Sequence, residues 1–97
     1  MEYRNLGRSG LIVSALGLGC NNIGRQVDQA GANAIIEKCI EHGITYFDGA
    51  DVYGAPPGHS EEVLGKALKP HRRNVVLATK GTGRMGEGPG WSGASRR

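Results

Sequence analysis

Residues 28–48 read DQAGANAIIEKCIEHGITYFD, a helix pattern followed directly by a strand pattern. Asp28 is suited to cap the helix, and Gly43 stands where helices commonly end in the left-handed conformation. The apolar residues follow the i, i+3, i+4, i+7, i+8 spacing of one buried face: Ala32, Ile35, Ile36, Cys39 and Ile40. The β-branched and aromatic residues 44–47 then predict a strand.

The residues before this unit predict a hairpin and a short strand. Residues 3–13 contain two β-prone runs joined by the glycine-containing link at 7–10, which is typical of a hairpin. Residues 14–19 follow as a short apolar strand that ends in small residues. Gly17 and Gly19 in this strand leave room for a close approach to the backbone.

The residues after this unit repeat the alternation. Ser60 is predicted to cap a second helix, which Pro70 ends. Its predicted core face consists of Val63, Leu64, Ala67 and Leu68. Residues 74–80 form a continuous apolar run, which predicts a strand buried on both faces, as in parallel sheets. Beyond Gly81 the chain is rich in glycine and shows no helix or strand pattern.

The predicted order is hairpin, β, α, β, α, β and loop, which indicates an α/β fold with parallel strands. Three strands and two helices cannot cover both faces of such a sheet, and the last strand would be left as an apolar edge. The chain also has 17 glycines in 97 residues, against a usual share of about 7%. We therefore expect residues 1–97 to be an incomplete part of a larger domain, inactive and not well ordered alone.

Composition restricts the possible partners and the compartment. The net charge is +3, without a basic stripe interleaved with aromatic residues, so nucleic-acid binding is not expected. Cys20 and Cys39 are isolated and lack metal-ligand spacing, which favours a reduced, cytoplasmic protein without a bound metal. No apolar run suggests a signal peptide or a membrane span. Oligomeric state is not indicated.

Polar residues follow two of the predicted strands. Asp48 and Lys80 lie just beyond strand ends, and Tyr53 is in the loop after Asp48. Because parallel α/β folds place their sites at the carboxyl ends of the strands, these three side chains are expected to meet. A phenol is a weak acid, with an ordinary pKa near 10. A neighbouring ammonium stabilises the phenolate and makes the phenol a better general acid for a carbonyl oxygen.

Other interpretations of these residues remain open on spacing alone. A single aspartate at a strand end is often a loop hydrogen-bonder, and a single lysine after a strand is often solvated. Asp51 could also pair with Asp48 as the two-carboxylate site of a hydrolase. The spacing of these residues therefore predicts a site without fixing its reaction.

Several motifs, in order, resemble the aldo-keto reductase family over essentially the whole chain. Residues 3–11, YRNLGRSGL, and 16–19, LGLG, resemble the family's opening, and residues 47–54, FDGADVYG, are similar to its F-D-T-A-D-x-Y-G signature. The segment SEEVLG at 60–65 and the strand end ATK at 78–80 match in the expected order. The glycine-rich residues 86–97 resemble the stretch that leads to the family's third barrel helix.

The resemblance implies an N-terminal part of a (β/α)8 TIM barrel, with a hairpin closing its bottom. It implies reduction of small aldehydes or ketones by NADPH, with Tyr53 as proton donor supported by Asp48 and Lys80. Cys20, Asn21 and Asp48 are implied to border the nicotinamide end of the cofactor. Cys20 stands where threonine is common in the family, which leaves open a redox role for its thiol or a plain buried position.

Some features depart from the family's pattern. Gly49 replaces the usual threonine, and the family's catalytic histidine is matched by none of this chain's histidines: His42, His59 and His71. Some relatives in this family bind the cofactor and serve as protein-binding subunits, so a non-catalytic subunit is the alternative interpretation.

Overall fold

The structure of the chain is a computed structural model that describes residues 1–96. The strands are β1 (Tyr3–Asn5), β2 (Ile12–Ser14), β3 (Gly17–Gly19), β4 (Tyr46–Asp48) and β5 (Val76–Ala78). The helices are α1 (Gln29–Glu41) and α2 (His59–Leu68), and a 3₁₀ helix (Lys69–Asn74) follows α2. This order confirms the predicted α/β class with an N-terminal hairpin, three further strands and two helices.

The hairpin of β1 and β2 is antiparallel and is attached to the sheet by serine and threonine side chains. Arg4 lies opposite Val13 in the hairpin register. The Ser14 backbone N–H donates to Thr45 Oγ1 at 3.1 Å, and the Thr45 N–H donates to Ser14 Oγ at 2.9 Å. These reciprocal bonds hold the hairpin at the amino-terminal end of β4, away from the strand ends that carry Asp48.

The second sheet is parallel, in the order β3-β4-β5, so β4 is its central strand. The register places Gly19, Asp48 and Ala78 side by side at the carboxyl end. A side chain at Gly17 would clash with the Tyr46 ring, because an added Cβ would lie 2.5 Å from Tyr46 Cδ1. The predicted strand at 14–19 is shorter in the structure, since Ser14 belongs to β2.

The helix α1 follows its sequence pattern. Asp28 caps it, with Oδ1 accepting from the Gly31 N–H at 2.9 Å, a contact whose loss typically costs about 1 kcal/mol. Gly43 ends the helix in the left-handed conformation, with φ of +78°.

The helix α2 starts differently from the prediction. Gly58, with φ of +95°, precedes the first helical residue, His59, so the prediction that Ser60 caps this helix is wrong. The left-handed Gly58 turns the chain into the helix two residues earlier than expected. Ser60 therefore lies in the first turn, fully buried, and its hydroxyl points into the protein rather than to the helix end. The predicted core face of α2 is buried as expected.

The core lies between the parallel sheet and the two helices. Phe47 of β4 is fully buried at its centre, and burial of a side chain of this size contributes roughly 1.5–3 kcal/mol. The core also includes Ile36, Leu64 and Leu68. The three residues of β5 are each only partly buried, so the predicted burial of this strand on both faces is wrong. Within residues 1–96, β5 pairs with β4 alone, which leaves its other edge uncovered.

Residues 81–96 contain turns and bends without a helix or strand, as predicted. Across the described residues, neither helix has the length and apolar character needed to cross a membrane.

Candidate functional site

A cluster of polar side chains lies at the carboxyl ends of β4 and β5. Lys80 Nζ donates to Asp48 Oδ1 at 2.9 Å and to the Gly49 carbonyl oxygen at 2.9 Å. The same Nζ lies 5.1 Å from the centroid of the Tyr53 ring, within the range of a cation–π contact. The structure therefore brings together Asp48 and Lys80, which the sequence placed at strand ends, and Tyr53 from the loop after Asp48.

The Asp48 carboxylate controls the charge of Lys80. Its hydrogen bond stabilises the ammonium and raises the pKa of Lys80 above the ordinary value of 10.5. The side chains of Lys80 and Asp48 are 51% and 39% exposed, and ion pairs at such exposure contribute little to stability. The pair is better understood as a way of placing a positive charge beside Tyr53.

Tyr53 is held by its backbone at the start of α2. Its N–H donates to the Ala50 carbonyl at 3.2 Å, and its own carbonyl accepts from the N–H groups of Gly58 and Ser60 at 3.1 and 3.2 Å. The following residue, Gly54, has φ of +99°, and a Cβ there would lie 2.4 Å from the Ser60 nitrogen. A glycine is therefore required for the loop to approach α2 this closely.

Cys20 and Asn21 follow β3 beside this cluster. The Cys20 N–H donates to the Asp48 carbonyl at 2.9 Å, which continues the parallel pairing past the strand. The Cys20 side chain is fully buried in the core, and burial raises the pKa of its thiol to about 11. The thiol is therefore uncharged at neutral pH, which does not suit a redox role. Asn21, in contrast, is exposed at the strand end.

The remaining acidic candidate, Asp51, is engaged in holding a loop. Its N–H donates to the Lys80 carbonyl at 2.9 Å, and its Oδ2 accepts from the Gly83 N–H at 3.1 Å. The two carboxylates thus have separate partners, Lys80 for Asp48 and Gly83 for Asp51. Asp51 orders the segment after Lys80, a role that the sequence analysis did not assign to it.

Two of the three histidines, His59 and His71, pair with glutamates outside the cluster. His59 lies 3.3 Å from Glu62 of the same helix, and His71 lies 2.7 Å from Glu37. Among residues 1–96, no group of three or more histidine, cysteine or acidic side chains is arranged to hold a metal ion.

The fold and the site together define a parallel α/β segment that brings an acid, a phenol and an ammonium together at the carboxyl edge of its sheet. Sequence comparison shows the family, because the aldo/keto reductase family pattern matches residues 15–97. The chain belongs to the aldo/keto reductase family.

Relatives of known name support this assignment. A probable voltage-gated potassium channel subunit beta from Arabidopsis thaliana is 40% identical over all of this chain and 30% of its own length. The L-glyceraldehyde 3-phosphate reductase of Escherichia coli is also 40% identical, again over all of this chain and 30% of its own length. The chain thus spans about 30% of the length of these curated relatives.

A solved structure shows the same fold. The holo form of an aldo-keto reductase from Bacillus halodurans matches 93% of this chain and 29% of its own, with 42% identity and a TM-score of 0.79. The hairpin, the three parallel strands and the two helices thus correspond to the N-terminal part of the barrel in this family.

Proposed function

We propose that residues 1–97 are the first part of a single barrel domain that reduces aldehydes or ketones to alcohols with NADPH. The observation that carries the proposal is the position of Lys80 Nζ, bonded to Asp48 and Gly49 and 5.1 Å from the centre of the Tyr53 ring. The complete barrel here means residues 1–97 joined to the barrel segments that we propose to follow them. A barrel of this type typically has about 250 residues.

Tyr53 is the proposed proton donor to the carbonyl oxygen. As the carbonyl carbon is reduced, negative charge develops on the oxygen, and a phenol stabilises it by transferring its proton. The Lys80 ammonium stabilises the phenolate that remains, and Asp48 keeps the ammonium charged and in place. Each of the three residues therefore has a separate role in one proton transfer.

The residues at the strand ends fit the nicotinamide end of NADPH, which when bound would supply the hydride. Asn21 offers an exposed side-chain amide, Asp48 offers a partly exposed carboxylate, and the Gly19 Cα faces open space. Cys20 would contribute to this surface through its backbone, because its thiol is buried in the core and its N–H is bonded to the Asp48 carbonyl. The small aldehyde in the name of the Escherichia coli relative supports a small carbonyl substrate.

A second candidate function is a cofactor-binding subunit that docks on a partner protein. It is favoured by the Arabidopsis relative, whose name is that of a probable channel subunit. Such a subunit would bind NADPH at the same strand ends and would turn over carbonyl substrates slowly or not at all.

A turnover assay separates the two functions. We expect the complete barrel to oxidise NADPH, followed at 340 nm, only when a small aldehyde or ketone is added, at roughly 1–10³ per second as for typical enzymes. NADPH binding without carbonyl-dependent oxidation over a broad aldehyde panel would contradict the reductase function and favour the subunit.

The 97-residue chain alone is the matched control for this assay. We expect it to show no turnover and no cooperative thermal unfolding as a monomer, because β5 has an uncovered edge and only partly buried residues. Carbonyl reduction by the 97 residues alone would contradict the proposal that they are part of a larger barrel.

A further inference from the structure

The hydroxyl of Ser60 connects two stretches of the proposed site that are far apart in sequence. Ser60 Oγ donates to the Cys20 carbonyl oxygen at 3.3 Å, a contact across 40 residues. The Ser60 N–H donates to the Tyr53 carbonyl at 3.2 Å, and the Cys20 N–H donates to the Asp48 carbonyl. One residue therefore bonds both the segment that carries the proton donor and the segment that follows β3.

Hydrogen bonds connect Asp48 to Cys20, Cys20 to Ser60 and Ser60 to Tyr53. In this series, the Ser60 hydroxyl is the only side-chain group. The Cys20 carbonyl also accepts from the Ile23 N–H at 3.1 Å, but that contact lies within its own turn. The bonds from Cys20 to Asp48 and from Ser60 to Tyr53 are made by backbone groups. Within residues 1–96, replacement of the Ser60 side chain would therefore remove the one hydrogen bond between α2 and Cys20, while the backbone bonds and the packing of Cys20 in the core stay in place.

Gly24 and Gly54 allow two neighbouring loops to approach the Ser60 backbone closely. Ser60 is fully buried, and a Cβ on Gly24 would lie 2.9 Å from its nitrogen. The equivalent distance from Gly54 is 2.4 Å. The turn after Cys20, the loop after Tyr53 and the start of α2 thus meet at close backbone contact around one small hydrogen-bond donor.

We propose that Ser60 is a positioning residue for the site: its hydroxyl fixes the Cys20–Asn21 strand end relative to Tyr53. The inference rests on the proposed function, because it assigns the nicotinamide end of the cofactor to this strand end and the proton to Tyr53. If the strand end shifts, the hydride and the proton are no longer delivered to one carbonyl group at the correct spacing. A misplacement of about 1 Å can cost up to about 10²-fold in rate.

The test compares Ser60→Ala with Ser14→Ala in the complete barrel. Ser14 is a matched control because it is also a buried serine with hydroxyl hydrogen bonds, but it lies at the hairpin. We expect Ser60→Ala to lower kcat about tenfold, within the range of small misplacements, with a smaller change in the KM for the carbonyl substrate. Ser14→Ala should leave kcat unchanged, although both variants lose stability.

A second measurement needs neither turnover nor cofactor. The alkylation rate of Cys20 in the native protein, followed by peptide mass spectrometry, reports how often its segment opens. We expect Ser60→Ala to raise this rate about fivefold, as for the loss of one hydrogen bond that opposes local opening. Ser14→Ala should not raise it. If the wild-type barrel binds NADPH without turnover, the reductase function fails, and the positioning role is decided by this alkylation rate.

Two results would overturn the proposal. One is a Ser60→Ala variant with the kcat and the Cys20 alkylation rate of the wild type. The other is an equal change in both quantities for Ser60→Ala and Ser14→Ala, which would make the effect one of general stability. If Ser60→Ala does not fold, Ser60→Cys retains a similar size with a weaker donor. Its kcat should then fall and its Cys20 alkylation should rise, and wild-type values for both would refute the role.

Discussion

Replacing Tyr53 by phenylalanine should lower kcat for carbonyl reduction by the complete barrel by about 10²–10⁴-fold, the usual contribution of a general acid. The substitution removes the phenolic proton but keeps the ring that lies beside Lys80 Nζ. NADPH affinity should change little, because the proposed cofactor contacts are at Asn21 and Asp48. Steady-state kinetics and a fluorescence titration with NADPH measure the two quantities separately.

Tyr46→Phe is the matched control for this substitution. Tyr46 lies at the start of β4, at the other end of the strand from the cluster, and its ring packs against Gly17. The kcat of the Tyr46→Phe variant should stay at the wild-type value. A Tyr53→Phe variant that loses NADPH binding and turnover to the same extent would indicate that Tyr53 is structural, and full activity would exclude it as the proton donor.

Replacing Lys80 by methionine should lower kcat by about 10²-fold or more, since the charge that stabilises the phenolate is removed. Methionine retains most of the length of the side chain, so packing should change less than charge. Lys38→Met is the control, because Lys38 is also an exposed lysine paired with a carboxylate, Glu41 at 2.8 Å, but it lies on α1. Equal activity of both variants would contradict the role of Lys80.

The pH at which Lys80 loses its proton tests the Lys80–Asp48 pair. Because the hydrogen bond to Asp48 raises the pKa of Lys80, the ammonium is fully present below the ordinary value of 10.5 and is lost only at higher pH. Asp48→Asn removes the largest cause of this increase. Lys80 should therefore lose its proton at a lower pH in Asp48→Asn than in the wild type, as an NMR titration of its side chain would measure, and an upward shift would contradict the pairing.

The sequence predicts the parts of this fold that depend on local patterns. The information for α1 lies in one short window of the sequence. About four helical turns contain the capping residue Asp28, the apolar face and Gly43. The meeting of Asp48 and Lys80 could also be predicted, because parallel strands place their carboxyl ends at one edge of a sheet. This prediction depends only on the order of the strands along the chain.

Contacts that depend on the detailed packing of distant segments could not be predicted from the sequence. Serine is common at helix caps, which predicts that Ser60 caps α2, whereas the left-handed Gly58 starts α2 earlier and the Ser60 hydroxyl bonds to Cys20. The burial of the Cys20 thiol has the same origin, since it depends on packing against residues of α1, β4 and α2. The pattern of residues 74–80 suggested full burial, but the exposure of a strand depends on the elements that cover it.

The transfer of label from the cofactor is the most direct test of the reductase function. The complete barrel is supplied with NADPH carrying deuterium in the transferable position at C4 and with an unlabelled aldehyde, and the alcohol is analysed by mass spectrometry. We predict one deuterium at the former carbonyl carbon of each alcohol molecule, and loss of this product in Tyr53→Phe. Alcohol that forms without deuterium, or cofactor that binds and yields no alcohol, would contradict carbonyl reduction by this site.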